Sequence, residues 1–476
     1  MTKQPRATAQ QRWVLALASL GSVVVALDTL VVATALTTIQ SQLGASLAEL
    51  EWTVNAYSLT FAVFMMSAAA AGDRWGRTRT FAVGFALFTV ASIGCALATS
   101  VGWLIAARAV QGVGAAVVMP LAIGLVGAAF PGANRGWATG VYGSLTGVAV
   151  LSGPLVGGAI TQGLNWHWVF WVNVPIGLVL IPLILRKIPE TRGAVRRLDL
   201  VGAVLAALAL LGLVWALIRG PEQGWSSAEV LGSAAAGLLL GAAFVVWEHR
   251  APAPMVPPSL FRLHSFVAAN LAGFFLTAAL LGNLFFLTQF AQIVWQAGPL
   301  RAGLQILPWT ATLFVVSPIA GRLVDRIGER PLVVVGLLLQ GLGLLTVAAL
   351  TTNGLTYGEL VVPVIVAGAG VSFAMTATQS AVVGSVPPEA VGVASGVYGM
   401  MRQLGGATGV AVMAAVFAST GGYTSPQAFS DGFAWAIATG GVLSLAGGIA
   451  GIWITRRAPS AAPAPVAAVA PQEVGR

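Results

Sequence analysis

Asp28 stands in the middle of a long apolar stretch, about residues 13–39, and Arg108 stands inside another, about 101–123. A charged aspartate at mid-bilayer costs a few kcal/mol on insertion scales, so such a residue persists for ion chemistry, proton chemistry or a buried pair. A carboxyl group in apolar surroundings holds a proton and releases it when water or a cation comes near. That is carrier chemistry rather than bond-breaking chemistry. Counted from the expected outer ends, residues 39 and 101, Asp28 is 11 residues deep and Arg108 is 7 residues deep. At ~1.5 Å per residue the offset is roughly 6 Å, within reach of an arginine side chain. Asp28 and Arg108 are therefore expected to couple protons, with Arg108 attracting the deprotonated carboxylate and releasing the protonated one. The alternative is a purely structural ion pair.

Other chemistries lack their residues. The two lysines, Lys3 and Lys187, fall in no GxxxxGK[ST] loop, so the chain has no nucleotide site of this kind. The three histidines make no helical HExxH zinc site, and the single Cys95 excludes an internal disulfide or a cysteine metal cluster. No cofactor and no metal are expected. A membrane machine built this way runs on an ion gradient or on none.

The elements that must position Asp28 and Arg108 are read from hydropathy. Charged residues are 8% of the chain, hydrophobic residues 57%, and mean hydropathy is +0.87, so lipid must solvate the protein. The 58 glycines suit close helix packing in lipid. With ~20 apolar residues per span, helices are predicted near 13–39, 49–71, 80–99, 101–123, 137–163, 167–185, 199–218, 229–247, 265–294, 303–324, 331–350, 360–382, 391–419 and 432–454. The stretches are continuously apolar rather than alternating, which excludes a membrane β-barrel. The first stretch is too long for a cleavable signal peptide.

Orientation follows from Lys and Arg placement. With the N-terminus inside, 20 of these residues fall in inner segments, Arg219 and Arg301 fall outside, and Arg108 and Arg402 lie within helices. Both termini are expected to be cytoplasmic. The net charge of +9 is thereby explained without nucleic-acid binding.

The chain repeats itself. Residues 138–143 (ATGVYG) recur as 394–399 (ASGVYG), and 73–77 (DRWGR) recur as 325–329 (DRIGE), on the same membrane side. That is a parallel repeat of six helices with two further helices inserted between the copies. The expected organisation is an N-terminal bundle over 1–185, an inserted pair with its linkers over 186–264, a C-terminal bundle over 265–455 and a disordered tail over 456–476.

Several motifs then resemble the major facilitator superfamily, in particular its fourteen-helix drug:proton antiporters, over about residues 10–455. Residues 27–36 (LDTLVVATAL) look like LDxTIVNVALP, departing at Ala33 and Thr37. Leu104, Arg108, Gln111, Gly112, Gly114, Ala115 and Ala116 match LxxxRxxQGxGAA. Gly153-Pro154-Leu155-Val156-Gly157-Gly158 matches the GPxxGG usual in outward-moving members. Residues 168–177 (WVFWVNVPIG) resemble WIFxINxPIG, and 392–396 (GVASG) with 402–406 (RQLGG) continue the likeness. The loop motif GxLADRxGRK is altered in the first copy, which has Ala69 and Ala71, and kept in the second, which has Gly321 and Leu323. The cytoplasmic gate is expected to lean on the second half.

The resemblance implies an all-α polytopic fold of fourteen transmembrane helices: two six-helix bundles plus the inserted pair. It implies a gating set of Asp73, Arg74, Arg77, Gly153, Pro154, Gly157, Asp325, Arg326 and Arg402. In that set Asp73 latches the start of the helix near 391 and, by pseudo-symmetry, Asp325 latches the start of the one near 137. The Asp/Arg clusters alternatively only set topology, Gly153-Pro154 is alternatively ordinary kinked packing, and Arg402 alternatively bonds backbone carbonyls. The cavity is expected between the helices near 13–39, 101–123, 265–294 and 360–382, with that near 49–71 close by. Its candidates are Tyr57, Gln111, Asn283, Gln289, Gln292, Met375 and Gln379, each of which also fits plain core packing. Many of the 15 tryptophans are expected at membrane interfaces.

The function expected is a monomeric, proton-coupled antiporter in a bacterial cytoplasmic membrane. It exports neutral, amphipathic or monocationic drugs, antibiotics or related small molecules, and it is not an enzyme. The rivals are a proton-coupled importer, a non-transporting membrane sensor, and a pump whose nucleotide site sits on a separate subunit.

Overall fold

The structure, a computed structural model, describes residues 8–455 apart from 131–133, 193–198, 253, 255, 353, 355 and 387–389. The expected tail, 456–476, and the side chains of Pro154 and Asp325 lie outside the described residues.

The described chain is helical, with no strand among these residues. The N-terminal half holds α1 (Ala9–Leu43), α2 (Leu47–Trp75), α3 (Arg77–Ala96), α4 (Val101–Ala129), α5 (Asn134–Gly163), α6 (Trp168–Trp171) and α7 (Asn173–Lys187). An inserted pair follows, α8 (Leu200–Gln223) and α9 (Ala228–Arg250). The C-terminal half holds α10 (His264–Ile293), α11 (Pro299–Ile327), α12 (Glu329–Thr351), α13 (Tyr357–Gly384), α14 (Val391–Thr420) and α15 (Pro426–Gly451). Every expected span is occupied by a helix, with α6 and α7 sharing the sixth. Their break at Val172 has a local cause: Pro175 lacks an N–H, and its ring crowds the carbonyl of Trp171 four residues back.

Among the described residues, 12 spans are long and apolar enough to cross a membrane, counting Trp168–Lys187 as one. The other two expected spans are occupied by α2 and α5, of 29 and 30 residues, each longer than the ~20 residues a bilayer crossing needs. The helices start where the sequence caps them. Thr8 with Gln11, Ser46 with Glu49, and Thr356 with Glu359 form capping boxes that satisfy orphan N–H groups.

The sequence repeat is a packing repeat. In the first half α1 packs on α5, α2 on α4, and α3 on α4; in the second α10 packs on α14, α11 on α13, and α12 on α13. The loops carrying the repeated Asp-Arg motif turn through Gly76 and Gly328 at φ +106° and +81°, conformations that glycine adopts without steric cost. Two seams join the halves, α2 against α14 and α5 against α11. The inserted pair is asymmetric: α8 packs across the α2–α14 seam, with Val214 and Ile218 among Ala48, Leu59, Ala407 and Ala411. Trp215 sets its ring 5.7 Å from that of Trp52.

Candidate proton and cargo site

Four helices build one buried polar cluster. α1 supplies Asp28, α4 supplies Arg108 and Gln111 one turn apart, α3 supplies Ser92, and α7 supplies Asn173 at its first residue. Arg108 Nη1 donates to Asp28 Oδ2 at 2.5 Å and to Gln111 Oε1 at 2.6 Å. Its Nε donates to the Thr53 carbonyl at 3.1 Å. The second carboxylate oxygen accepts from Gln111 Nε2 at 2.9 Å and Asn173 Nδ2 at 3.1 Å. Ser92 Oγ accepts from both amides, at 2.8 Å and 3.3 Å. Tyr57 lays its ring over the guanidinium, 4.1 Å from centroid to carbon. Gly112 permits this approach of α4 to α2, because a Cβ there would strike the Tyr57 carbonyl and Thr60.

Asp28 is 2% and Arg108 1% exposed, so neither charge is screened by water. A buried pair of this kind holds together only when its remaining donors and acceptors are also met, and here Gln111, Asn173 and Thr53 meet them. The arrangement keeps a cation and an anion matched.

Arg108 also borders the space between the halves. A cavity of about 20 Å³ is lined by Thr29, Ala33, Val54, Tyr57, Ser58 and Arg108 from the first half and by Leu281, Leu284 and Phe285 from the second. It holds about one water, whereas drug-sized sites take roughly 300–1,000 Å³. The halves are closed around Arg108.

That closure lies on the side of the α1 C-terminus, the expected outer face. Thr37 donates to Gln292 Oε1 at 2.5 Å, and Gln292 Nε2 donates to the Thr34 carbonyl at 3.2 Å. Leu300 N donates to Gln162 Oε1 at 3.1 Å. Thr37, one of the departures from the motif, thus joins the clasp. Gly157 packs on Val31 and Thr34 of α1, and Gly158 on the backbone of Pro299 and Leu300, with no room for a side chain. Gly153 is buried on the same helix. The hydrogen bonds of Gln292 and Gln162 join the two halves at this outer clasp.

The remaining candidates are scattered. Asp73, near the end of α2, accepts from Arg77, the first residue of α3, at 2.7–2.8 Å, while Arg74 and Arg326 are exposed. The neighbouring α3 N-terminus is capped by Glu190, which accepts from Thr78 N at 2.9 Å and Arg79 N at 3.2 Å. Arg402 is half-buried on α14. Of the expected cavity residues Tyr57 lines the cavity, and Gln111 belongs to the ion-pair cluster. Gln292 belongs to the outer clasp. Gln289 accepts from Tyr423 Oη at 2.5 Å, Asn283 is buried on α10, Met375 packs against the main core, and Gln379 is exposed on α13. The cavity wall is therefore α1, α2, α4 and α10, without α13.

Asn173 and Ser92 were not foreseen as partners of Asp28. Asn173 falls inside the 168–177 motif, which was a usable signal; Ser92 had none. Glu51 is also buried, near the outer end of α2. Burial, and then the Glu51 carboxylate, push the Tyr423 hydroxyl above the usual tyrosine range.

The chain matches the family described as Major Facilitator Superfamily over residues 18–410 and 268–473. It is 34% identical over 415 residues to the tetracenomycin C resistance and export protein of Streptomyces glaucescens, covering 87% of this chain and 77% of that one. It is 37% identical over 405 residues to the multidrug resistance protein Stp of Mycobacterium tuberculosis, covering 84% and 74%. Its fold matches an auto-inhibited POT family peptide transporter with a TM-score of 0.70 at 15% identity, covering 96% of this chain and 99% of that one.

Proposed function

Because the chain belongs to the major facilitator superfamily, we propose that it is a proton-driven exporter of amphipathic drugs, antibiotics or related small molecules. The observation that carries this reading is the Asp28–Arg108 pair, sealed from water and set against the cavity between the halves. The resistance and export relatives support an outward direction.

The cycle follows from the pair. With the outer clasp open, a proton from outside neutralises Asp28. Arg108 then loses its anion, and its ties to Gln111 and Thr53 hold it at the cavity wall. The halves rock to the outer-closed arrangement seen here. The proton leaves to the cytoplasm, cargo enters, and the re-formed pair accompanies the return. The Gly157–Gly158 contacts keep ions from leaking past α5 and α11 during closure. This reading places the protein in a bacterial cytoplasmic membrane with both termini inside, working as a monomer without cofactor.

The test is proton movement in inverted vesicles with acidified interiors, over a panel of lipophilic cations and antibiotics. Addition of a transported compound releases protons, and Asp28→Asn abolishes the release. A release that survives Asp28→Asn moves the coupling site elsewhere. Silence from the wild type across the panel removes the broad-exporter reading.

A further inference from the structure

Arg402 is a second arginine in a membrane-spanning helix, half-buried where Arg108 is buried, and its partners differ from those of Arg108. Both guanidiniums lie against a tyrosine ring, Arg108 on Tyr57 at 4.1 Å and Arg402 on Tyr398 at 5.8 Å. Arg108 has Asp28. Among the described residues, no carboxylate lies within ion-pair distance of Arg402, and its buried Nε has no hydrogen-bond partner. An unmatched cation at membrane depth is costly and marks a pathway or a ligand site.

The side chain is directed by its neighbours. Tyr398 is buried and held by a 2.6 Å hydrogen bond between its hydroxyl and Thr378 Oγ1. That fixes the ring on which Arg402 rests. Arg402 stands three residues after Gly399 and four before Gly406, so it shares their helix face. Gly399 packs on Met65 of α2, across the seam between the halves, and Gly406 packs on Leu281, which lines the cavity beside Arg108. This face of α14 is therefore turned toward α2 and α10, at the seam between the halves.

We infer that Arg402 binds an acidic group on the cargo: a carboxylate, sulfonate or ionised phenol attached to an apolar body. Leu281 and Met65 supply apolar surface on either side, and the guanidinium supplies donors in a planar fork matched to an oxyanion. The sequence alone suggested neutral or monocationic cargo, on the strength of one buried acid. The argument for an anionic group is that Asp28 is already matched by Arg108, whereas Arg402 has no matching carboxylate among the described residues. The inference rests on the export reading only in calling the ligand a cargo.

The test uses the purified full chain in lipid nanodiscs and two probes with one naphthylamine body. One is anilinonaphthalene sulfonate, which is anionic; the other is N-phenylnaphthylamine, which is neutral. Binding is read against empty nanodiscs with no gradient applied. The wild type should favour the anionic probe by about tenfold, the value of one charge-assisted contact. Arg402→Gln should erase that preference while leaving the neutral probe unchanged, and Arg402→Lys should keep part of it. In unmutated protein, the anionic probe alone should protect Arg402 from phenylglyoxal, read by peptide mass spectrometry. A wild type without preference, equal loss of both probes in Arg402→Gln, or unprotected Arg402 overturns the assignment. Because no gradient is involved, failure of driven export with the preference intact removes the export reading and leaves this site standing.

Discussion

Removing Arg108 should harm the protein more than removing it together with Asp28. Arg108→Met takes away the 2.5 Å donor to Asp28 and leaves the carboxylate with two amides, Gln111 and Asn173. Breaking one side of a buried pair costs about 3–5 kcal/mol, because the other charge stays buried without a counter-ion. Asp28→Leu strands Arg108 in the same way, with only the Thr53 carbonyl, the Gln111 side chain and the Tyr57 ring as company. Asp28→Leu/Arg108→Met removes both charges and refills the space with apolar atoms, so it should recover most of that loss. The expected interaction energy is about 6–10 kcal/mol, the two single losses together, well beyond the ~0.5 kcal/mol scatter of independent sites. Intrinsic tryptophan fluorescence during unfolding in detergent reads the order: wild type and double variant together, both single variants below. Proton-coupled export should be absent from all three variants. The reasoning fails if the two single losses simply add in the double variant, or if either single variant is as stable as the wild type.

Gly158→Leu should hold the outer side open, because its side chain meets the backbone of Pro299 and Leu300. Overpacking of about 1–3 kcal/mol should raise labelling by an external impermeant maleimide at a cysteine placed at Ala33 in a Cys95→Ser background; unchanged labelling would refute the seal. Gln292→Ala removes the contacts to Thr37 and the Thr34 carbonyl. At ~1 kcal/mol for each of the two bonds it should shift the same labelling by roughly thirtyfold, and no shift would discard the clasp. Glu190→Ala uncaps α3 at Thr78 and Arg79. It should lower stability by ~1 kcal/mol with export retained, and loss of export at unchanged stability would point to a gating role.

The spans, their order and the depth of Asp28 and Arg108 were legible in the chain itself. The bilayer explains why: hydropathy and Lys/Arg placement fix which segments cross, and the rise per residue then fixes how deep each side chain lies. Depth alone was enough to match Asp28 with Arg108 across 80 residues. The repeated Asp-Arg-x-Gly loops likewise announced a repeat, and both copies turn through a glycine of positive φ, Gly76 and Gly328. What the chain does not encode locally is the direction a side chain takes around its helix and which helix meets it there. Ser92 and Asn173 reach Asp28, Gln292 leaves the cavity for the outer clasp, and α8 covers one seam and not the other, all through packing between distant segments. Arg108 and Arg402 are both arginines inside apolar helices. Only the tertiary structure decides that one has its counter-ion and the other, among the described residues, has none, since a counter-ion is a property of the neighbouring helix.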